Sequence, residues 1–203
     1  MRSRNGGANF TTYQPHFLIG GLISFLFYFL VIYIPEQKKR RIIKVNLRRL
    51  YADIKHDLLY QVIFASQKGG REDLSADSET VERLLTVDGF NAAFRGGSGA
   101  HEGFYAFCNY ISSDVHEYRE IIRNLQVLSK QIDYILHNYP LTDEKMFNFF
   151  KRLDVFLFRL EKIGLGYDEE KVLSGFIREI FGGFSLVEGY RGYDIIEKMI
   201  EDI

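Results

Sequence analysis

The residues of this sequence best suited to chemistry are arginines that precede a histidine by a few positions. Arg95 and His101 are separated by five residues, and Arg49 and His56 by six. Histidine can move a proton to or from a ribose hydroxyl or a leaving oxygen, and arginine can stabilise the charge of a phosphorane. Arg95 and His101 are the better candidate catalytic pair. Arg95 begins the Gly-rich stretch 95–100 and His101 follows it; backbone N–H groups of this stretch could hold a phosphate, whereas His56 has the sequence context of a surface residue.

Other catalytic and metal-binding patterns are absent from the sequence. It has no P-loop, dinucleotide fingerprint, HExxH, CxxC or nucleophile elbow, and its five histidines include no metal-spaced pair on one predicted helix. The single cysteine, Cys108, excludes an intrachain disulfide, fits a reducing compartment and is expected to pack as a small apolar residue. We therefore predict no cofactor and no metal. The sequence favours a protein without enzymatic activity over an enzyme.

The elements that position these residues begin with an apolar segment near the N-terminus. Phe17 to Ile34 are 18 consecutive residues without a charge, which as a helix extend about 27 Å, close to the ~30 Å hydrocarbon core of a bilayer. A cleaved signal peptide would have a shorter apolar run followed by small residues, and a soluble core helix would show a polar face. The segment is therefore predicted to be a transmembrane helix.

The charges that flank this segment predict its orientation. Only Arg2 and Arg4 precede it, whereas seven basic residues follow within fifteen positions. Because Lys and Arg accumulate on the cytoplasmic side, we predict a single-pass protein of the bacterial inner membrane with its N-terminus outside and its C-terminal domain in the cytoplasm. The same residues form a predicted basic belt that binds anionic lipid headgroups. The basic belt consists of Lys38, Lys39, Arg40, Arg41, Lys44, Arg48 and Arg49.

The rest of the chain is acidic. The whole sequence carries a net charge of −1; residues 1–35 carry +2 and residues 36–50 carry +6, which leaves −9 for residues 51–203. A broad nucleic-acid surface needs clustered Lys and Arg, so this balance argues against one in the distal domain, and direct RNA binding is left open. The predicted organisation is a short extracytoplasmic tail at 1–16, a transmembrane helix at 17–35, a basic membrane-proximal helix at 36–66 and a cytoplasmic helical bundle at 67–203.

Apolar periodicity predicts helices throughout the distal domain. Apolar residues recur at spacings of three and four positions in three segments: after Ile43, from Tyr118 to Ile135 and from Met146 to Leu160. The last two stripes, joined by the turn 138–141, predict an antiparallel helical hairpin, either within one chain or between chains. The other predicted helices are a short one from Asp77 or Ser78 to Leu85, a single run from His101 to His137, one capped by Thr142 and ending near Gly164, and two at 169–181 and 193–203. No convincing strand pattern is present, so the fold class is all-α.

The apolar segment also carries small residues on one face. Gly20 and Ser24 are four residues apart, and Gly21, Ser24 and Tyr28 share a helix face. Small residues let transmembrane helices approach closely, so this face predicts homo-oligomerisation. If such helices surround a pore, this face would be its least apolar lining.

These features together resemble the small membrane accessory protein of type VI-B CRISPR systems, which has a divergent HEPN-like domain. The resemblance covers one N-terminal membrane helix, a basic flank, an all-helical domain and an Arg95–His101 element of the Arg-x(4–6)-His type. It implies a homo-oligomeric pore that supports anti-phage defence by depolarising the membrane beside an RNA-guided, RNA-cleaving effector. The sequence departs from the nuclease form of the element, because Gly96 follows Arg95 where active HEPN sites carry a polar residue.

Three functions are therefore open from the sequence. The leading expectation is a membrane pore that accompanies an RNA-guided CRISPR effector. The alternatives are a membrane-tethered HEPN ribonuclease that uses Arg95 and His101, and a membrane-anchored scaffold that binds a protein partner.

Overall fold

A computed structural model describes residues 14–96, 99, 101–112, 115–139, 141, 143–162, 167–185 and 189–203. The chain divides into two compact units, residues 1–43 and 44–203. The predicted cap Thr142, most of the predicted tail 1–16 and three positions of the Gly-rich stretch 95–100 lie outside the described residues.

The described part of the N-terminal unit, residues 14–43, is helical. Helix α1 comprises Gln14–Tyr28, a π-helical turn follows at Phe29–Tyr33, and helix α2 begins at Ile34 and ends at Lys68 in the second unit. The π-helical turn has a local cause in Pro35, which lacks an N–H and whose ring would collide with the carbonyl four residues before it. The backbone widens ahead of the proline, with the Ile34 N–H bonded to the Phe29 carbonyl. Pro35 therefore changes the hydrogen-bond pattern without ending the helix.

Within the described residues of its unit, the apolar part of this helix has no covering protein partner. Every residue from Leu18 to Tyr33 is exposed, and the helix is long and apolar enough to cross a membrane. Phe25, Phe29 and Tyr33 stack along one edge, with ring centroids 6.3 and 5.4 Å apart. The prediction of one long apolar helix near the N-terminus is thus confirmed.

The second unit is built from helices and one small hairpin of strands. Its elements after α2 are α3 (Ser78–Leu84), α4 (Val87–Phe94), α5 (Tyr105–Ile111), α6 (His116–Asn138), α7 (Glu144–Lys162), α8 (Tyr167–Gly182), β1 (Phe184–Ser185), β2 (Gly189–Tyr190) and α9 (Ile195–Glu201). The strands pair antiparallel, with Phe184 opposite Tyr190. The prediction of a mostly helical protein is confirmed.

Helices α6 and α7 form a hairpin within the chain. The stripe from Ile121 to Ile135 on α6 and the stripe from Met146 to Leu160 on α7 are buried, and the two helices pack together more extensively than any other pair in the described part. The Ser129 hydroxyl donates to Asp154 Oδ1 across the hairpin at 3.0 Å. Asp143 accepts the Met146 N–H at 2.9 Å at the start of α7. The two apolar stripes therefore pack against each other within one chain, which is one of the two predicted alternatives.

The last helix, α9, is attached to α2 by a buried polar cluster. Asp194 Oδ2 accepts a hydrogen bond from Tyr51 at 2.6 Å and pairs with Lys55 at 2.9 Å, while its Oδ1 accepts the backbone N–H of Ile196. Glu197 lies 3.3 Å from the Lys55 ammonium group. Asp194 is only 4% exposed and Lys55 8%. Burial, followed by the charge of Asp194, raises the pKa of Tyr51 well above its usual value.

Two sequence predictions about the helices need correction, and one helix has no counterpart among the predictions. The single helical run predicted from His101 to His137 is two helices, because the Ser112 hydroxyl bonds to the Asn109 carbonyl at 2.7 Å at the end of α5, and Val115 is extended. Helix α4 was not predicted. Tyr118 is only half-buried, and Glu117 occupies the buried position at the start of α6 instead.

Candidate functional site

Helix α4 positions one side of an open cleft. Thr86 caps the helix, its Oγ1 accepting the Gly89 N–H at 3.1 Å. Phe90 and Phe94 are buried, and the Phe90 ring stacks on Phe181 of α8 at 5.3 Å. Because one edge of α4 is fixed in the core, its polar residues and Arg95 lie along the cleft.

The end of α8 forms the other side of the cleft. Gly183 has a φ of +59°, a left-handed conformation that ends the helix, and its carbonyl accepts the N–H of Arg191 at 2.7 Å. Asn91 Nδ2 donates to the Gly182 carbonyl at 2.9 Å, which attaches α4 to the end of α8. The cleft has a volume of about 440 Å³ and is lined by Arg95, Arg178, the strand hairpin and both helix ends.

Two exposed guanidinium groups dominate the electrostatics of the cleft. Within the part of the chain that the structure describes, neither Arg95 nor Arg178 forms an ion pair. The carbon of the Arg178 guanidinium lies 5.8 Å from the centroid of the Phe184 ring. Among the described residues, Asp88 is the one carboxylate that lines the cleft, and it lies 3.4 Å from the Tyr190 hydroxyl. The cleft therefore presents an excess of positive charge in an acidic domain.

His101, the predicted partner of Arg95, contacts a different part of the fold. Its Nδ1 lies 2.7 Å from the Gly69 carbonyl, just after α2. Because a carbonyl only accepts, Nδ1 carries a hydrogen and Nε2 is the nitrogen left for proton transfer. His101 is not among the residues that line the cleft of Arg95. The structure thus gives Arg95 and His101 separate neighbours, and their catalytic pairing stays a prediction.

Arg71 holds this region together and was not identified from the sequence. Its guanidinium pairs with Asp73, with two distances of 2.7 Å, and donates to the carbonyls of Ala93 and Gly103 at 3.0 and 3.1 Å. The bond to Asp73 raises the pKa of Arg71 and lowers that of Asp73. Arg71 therefore joins the end of α4 to the segment before α5. The sequence offered no signal beyond a charged pair at i and i+2.

The other residues with chemical potential lie apart from the cleft. His56 and Arg49 are exposed on α2, and Cys108 is half-buried on α5. Among the described residues, no group of three or more His, Cys, Asp or Glu side chains could hold a metal ion.

The small-residue face of α1 is open. A Cβ placed on Gly20 or Gly21 would meet nothing within 4 Å, and Tyr28 is 53% exposed. Ser24 is exposed on the same face. This surface is therefore available to another helix or to lipid.

The basic belt divides into residues with and without protein partners. Arg40 pairs with Glu36 at 3.2 Å. Lys44 donates to the backbone carbonyl of Glu201, and Arg48 pairs with the Glu201 carboxylate at 3.2 Å. The remaining four have no hydrogen bond or ion pair with the residues described: Lys38, Lys39, Arg41 and Arg49.

Comparison with known proteins gives no relative. No protein-family model, curated protein or solved structure matches this chain.

Proposed function

We propose that this protein is a single-pass membrane protein without enzymatic activity, whose apolar helices associate into an oligomeric pore. The observation that carries the proposal is the unbroken exposure of apolar side chains from Leu18 to Tyr33. Soluble proteins rarely expose apolar patches larger than a few hundred Å², and a surface of this kind marks contact with a membrane or a partner. A bilayer would cover all sides of the helix.

The basic belt supports a cytoplasmic position for the second unit. Lys38, Lys39, Arg41 and Arg49 lack partners among the described residues, and each can contribute about 1 kcal/mol by binding anionic headgroups. The excess of basic residues after the apolar segment gives the same orientation. The proposed topology places the N-terminus outside and residues 44–203 in the cytoplasm of a bacterial cell.

The open face of α1 supports self-association in the bilayer. Gly20 and Gly21 leave room for a neighbouring backbone, and Ser24 can donate a hydrogen bond across a helix pair. The aromatic edge formed by Phe25, Phe29 and Tyr33 would then face lipid. Several copies arranged in this way would bring the least apolar face of each helix toward a common axis.

The proposed cellular role is that of an accessory to an RNA-guided, RNA-cleaving CRISPR effector. This role is supported by the resemblance to the type VI-B membrane accessory protein. In this role the pore would depolarise the membrane once the effector has detected phage RNA. The ribonuclease alternative receives less support, because His101 bonds to the Gly69 carbonyl and does not line the cleft of Arg95.

Cysteine crosslinking tests the proposed association in native membranes. In a Cys108→Ala background, Ser24→Cys places a thiol on the small-residue face, and Leu22→Cys is the matched control about 160° away around the helix. Mild oxidation is expected to link Ser24→Cys chains into dimers and to leave Leu22→Cys chains monomeric. Equal crosslinking of both variants, or none with Ser24→Cys, would contradict the proposed interface. A stoichiometric protein partner recovered without ion flux would favour the scaffold alternative.

A further inference from the structure

The cleft between α4, the end of α8 and the strand hairpin has the features of a small-molecule site. Its volume of about 440 Å³ lies in the range of ligand pockets, which span roughly 300–1,000 Å³. Its lining combines the buried rings of Phe90 and Phe94 with polar and charged side chains. A lining with this share of polar groups suits a polar, charged ligand.

The charges of the cleft favour an anionic ligand. Residues 51–203 carry a net charge of −9, yet no described carboxylate pairs with Arg95 or Arg178. Arg191, next to the same hairpin, does pair with a carboxylate, that of Glu179, at 3.0 Å. The arginines of the cleft thus differ from their neighbour. Guanidinium groups recognise phosphate through paired, charge-assisted hydrogen bonds.

The remaining groups at the rim favour a ligand with a flat aromatic part. Tyr190 on β2 is 61% exposed and Phe184 on β1 is 40% exposed, so the hairpin presents two rings to solvent. Nucleic-acid bases stack favourably on exposed aromatic rings of this kind. Asn91 donates through Nδ2 to Gly182, which leaves its Oδ1 to accept a hydrogen bond. Asp88 supplies a second acceptor.

We propose that this cleft binds a mononucleotide. Arg95 and Arg178 hold the phosphate, Tyr190 stacks on the base, and Asp88 and Asn91 accept hydrogen bonds from base or ribose donors. The proposal goes beyond the pore function and does not depend on it, because every residue involved belongs to the second unit.

Calorimetric titration of the full chain in mild detergent tests this proposal. The probes are AMP, GMP, CMP and UMP, with the four nucleosides and inorganic phosphate as partial ligands. At least one mononucleotide is expected to bind, with affinity at least tenfold above its nucleoside. Arg95→Gln and Arg178→Gln should each weaken binding about tenfold or more, since each removes charge-assisted hydrogen bonds. Arg159→Gln, an exposed arginine on α7, is the matched control and should leave binding unchanged.

A second variant separates stacking from charge. Tyr190→Leu should weaken mononucleotide binding about tenfold and leave the affinity for inorganic phosphate unchanged. Circular dichroism spectra equal to those of the unmodified chain establish that each variant is folded. The proposal is overturned if no mononucleotide binds, if the Arg95→Gln/Arg178→Gln double variant binds as tightly as the unmodified chain, or if only an RNA oligonucleotide binds.

Discussion

Replacement of Asp194 by alanine should destabilise the second unit more than any exposed change on the same helix. This carboxylate caps α9, accepts the Tyr51 hydroxyl hydrogen and pairs with Lys55, all while 4% exposed. Alanine removes all three interactions. It also leaves the Lys55 ammonium group with Glu197 as its remaining carboxylate partner, at 3.3 Å.

The size of the effect follows from these contacts. Loss of an N-cap costs about 1 kcal/mol, and breaking a buried ion pair by removing one partner costs about 3–5 kcal/mol. Glu197 compensates part of the exposed charge of Lys55, so we expect the free energy of unfolding to fall by about 3 kcal/mol. For a chain of this size that loss lowers the melting temperature by roughly 6–12 °C.

Thermal unfolding of the full chain in mild detergent, followed by circular dichroism, measures this loss. Asp202→Ala is the matched control, since Asp202 lies next to the same helix and its side chain forms, among the described residues, only an exposed 3.5 Å pair with Lys198. Its melting temperature should stay close to that of the unmodified chain. Asp194→Asn keeps a capping side chain and should fall between the two. The reasoning about the buried cluster is refuted if Asp194→Ala and Asp202→Ala melt at the same temperature.

Three further changes test other parts of the fold. Burial is the largest single influence on Glu117 and favours its neutral form, but the bond from Lys68, a backbone hydrogen bond and the charge of Lys68 together lower its pKa. The ionised carboxylate thus stabilises the fold above its ordinary pKa and loses this effect as the pH falls through the lowered value. Lys68→Met removes the bond and the charge of Lys68, so denaturant titrations between about pH 3 and 6 should show a weaker rise of stability with pH than in the unmodified chain. Gly69→Ala should lower the melting temperature, because the new Cβ would lie 2.2 Å from the Ala106 carbonyl oxygen. Leu128→Ala, at a fully buried position of the α6–α7 hairpin, should cost about 2–5 kcal/mol in denaturant unfolding; a loss below about 1 kcal/mol would contradict the assigned core.

The long periodic helices could be predicted because the spacing of their apolar residues along the sequence already gives the buried face. Ile121, Leu125, Leu128, Ile132 and Ile135 are all buried on α6, as their spacing of three and four requires. The apolar segment was equally clear, since its length and lack of charge match a bilayer. In these elements local pattern and final packing agree.

The short elements could not be predicted because tertiary contacts define them. Helix α4 has eight residues, too few for a convincing period, and its place depends on the contact of Phe90 with Phe181. The strands contain two residues each. They lie beside Gly183, which has a left-handed conformation and accepts the Arg191 N–H, and they are too short to show any alternation of polar and apolar residues.

In the candidate site, too, a residue with a local sequence signal could be predicted, whereas residues brought together by tertiary contacts could not. Arg95 was identified from its spacing to His101, yet the residue that shares its cleft is Arg178, 83 positions away on α8. No sequence pattern relates these two arginines, because only the packing of α4 on α8 brings them to one surface. Glu117 was missed because a glutamate in the first turn of a helix is ordinarily exposed, whereas here a lysine from the end of α2 pairs with it.

Membrane potential in living bacteria tests the central claim most directly. A voltage-sensitive dye would report on cells that express the full chain with a type VI-B RNA-guided effector and its target transcript. We expect depolarisation with the unmodified chain and none with Gly20→Leu/Ser24→Leu, which fills the small-residue face but leaves the helix apolar. The account is contradicted if the unmodified chain, present in the membrane, leaves the potential unchanged, or if the double variant depolarises the cells equally.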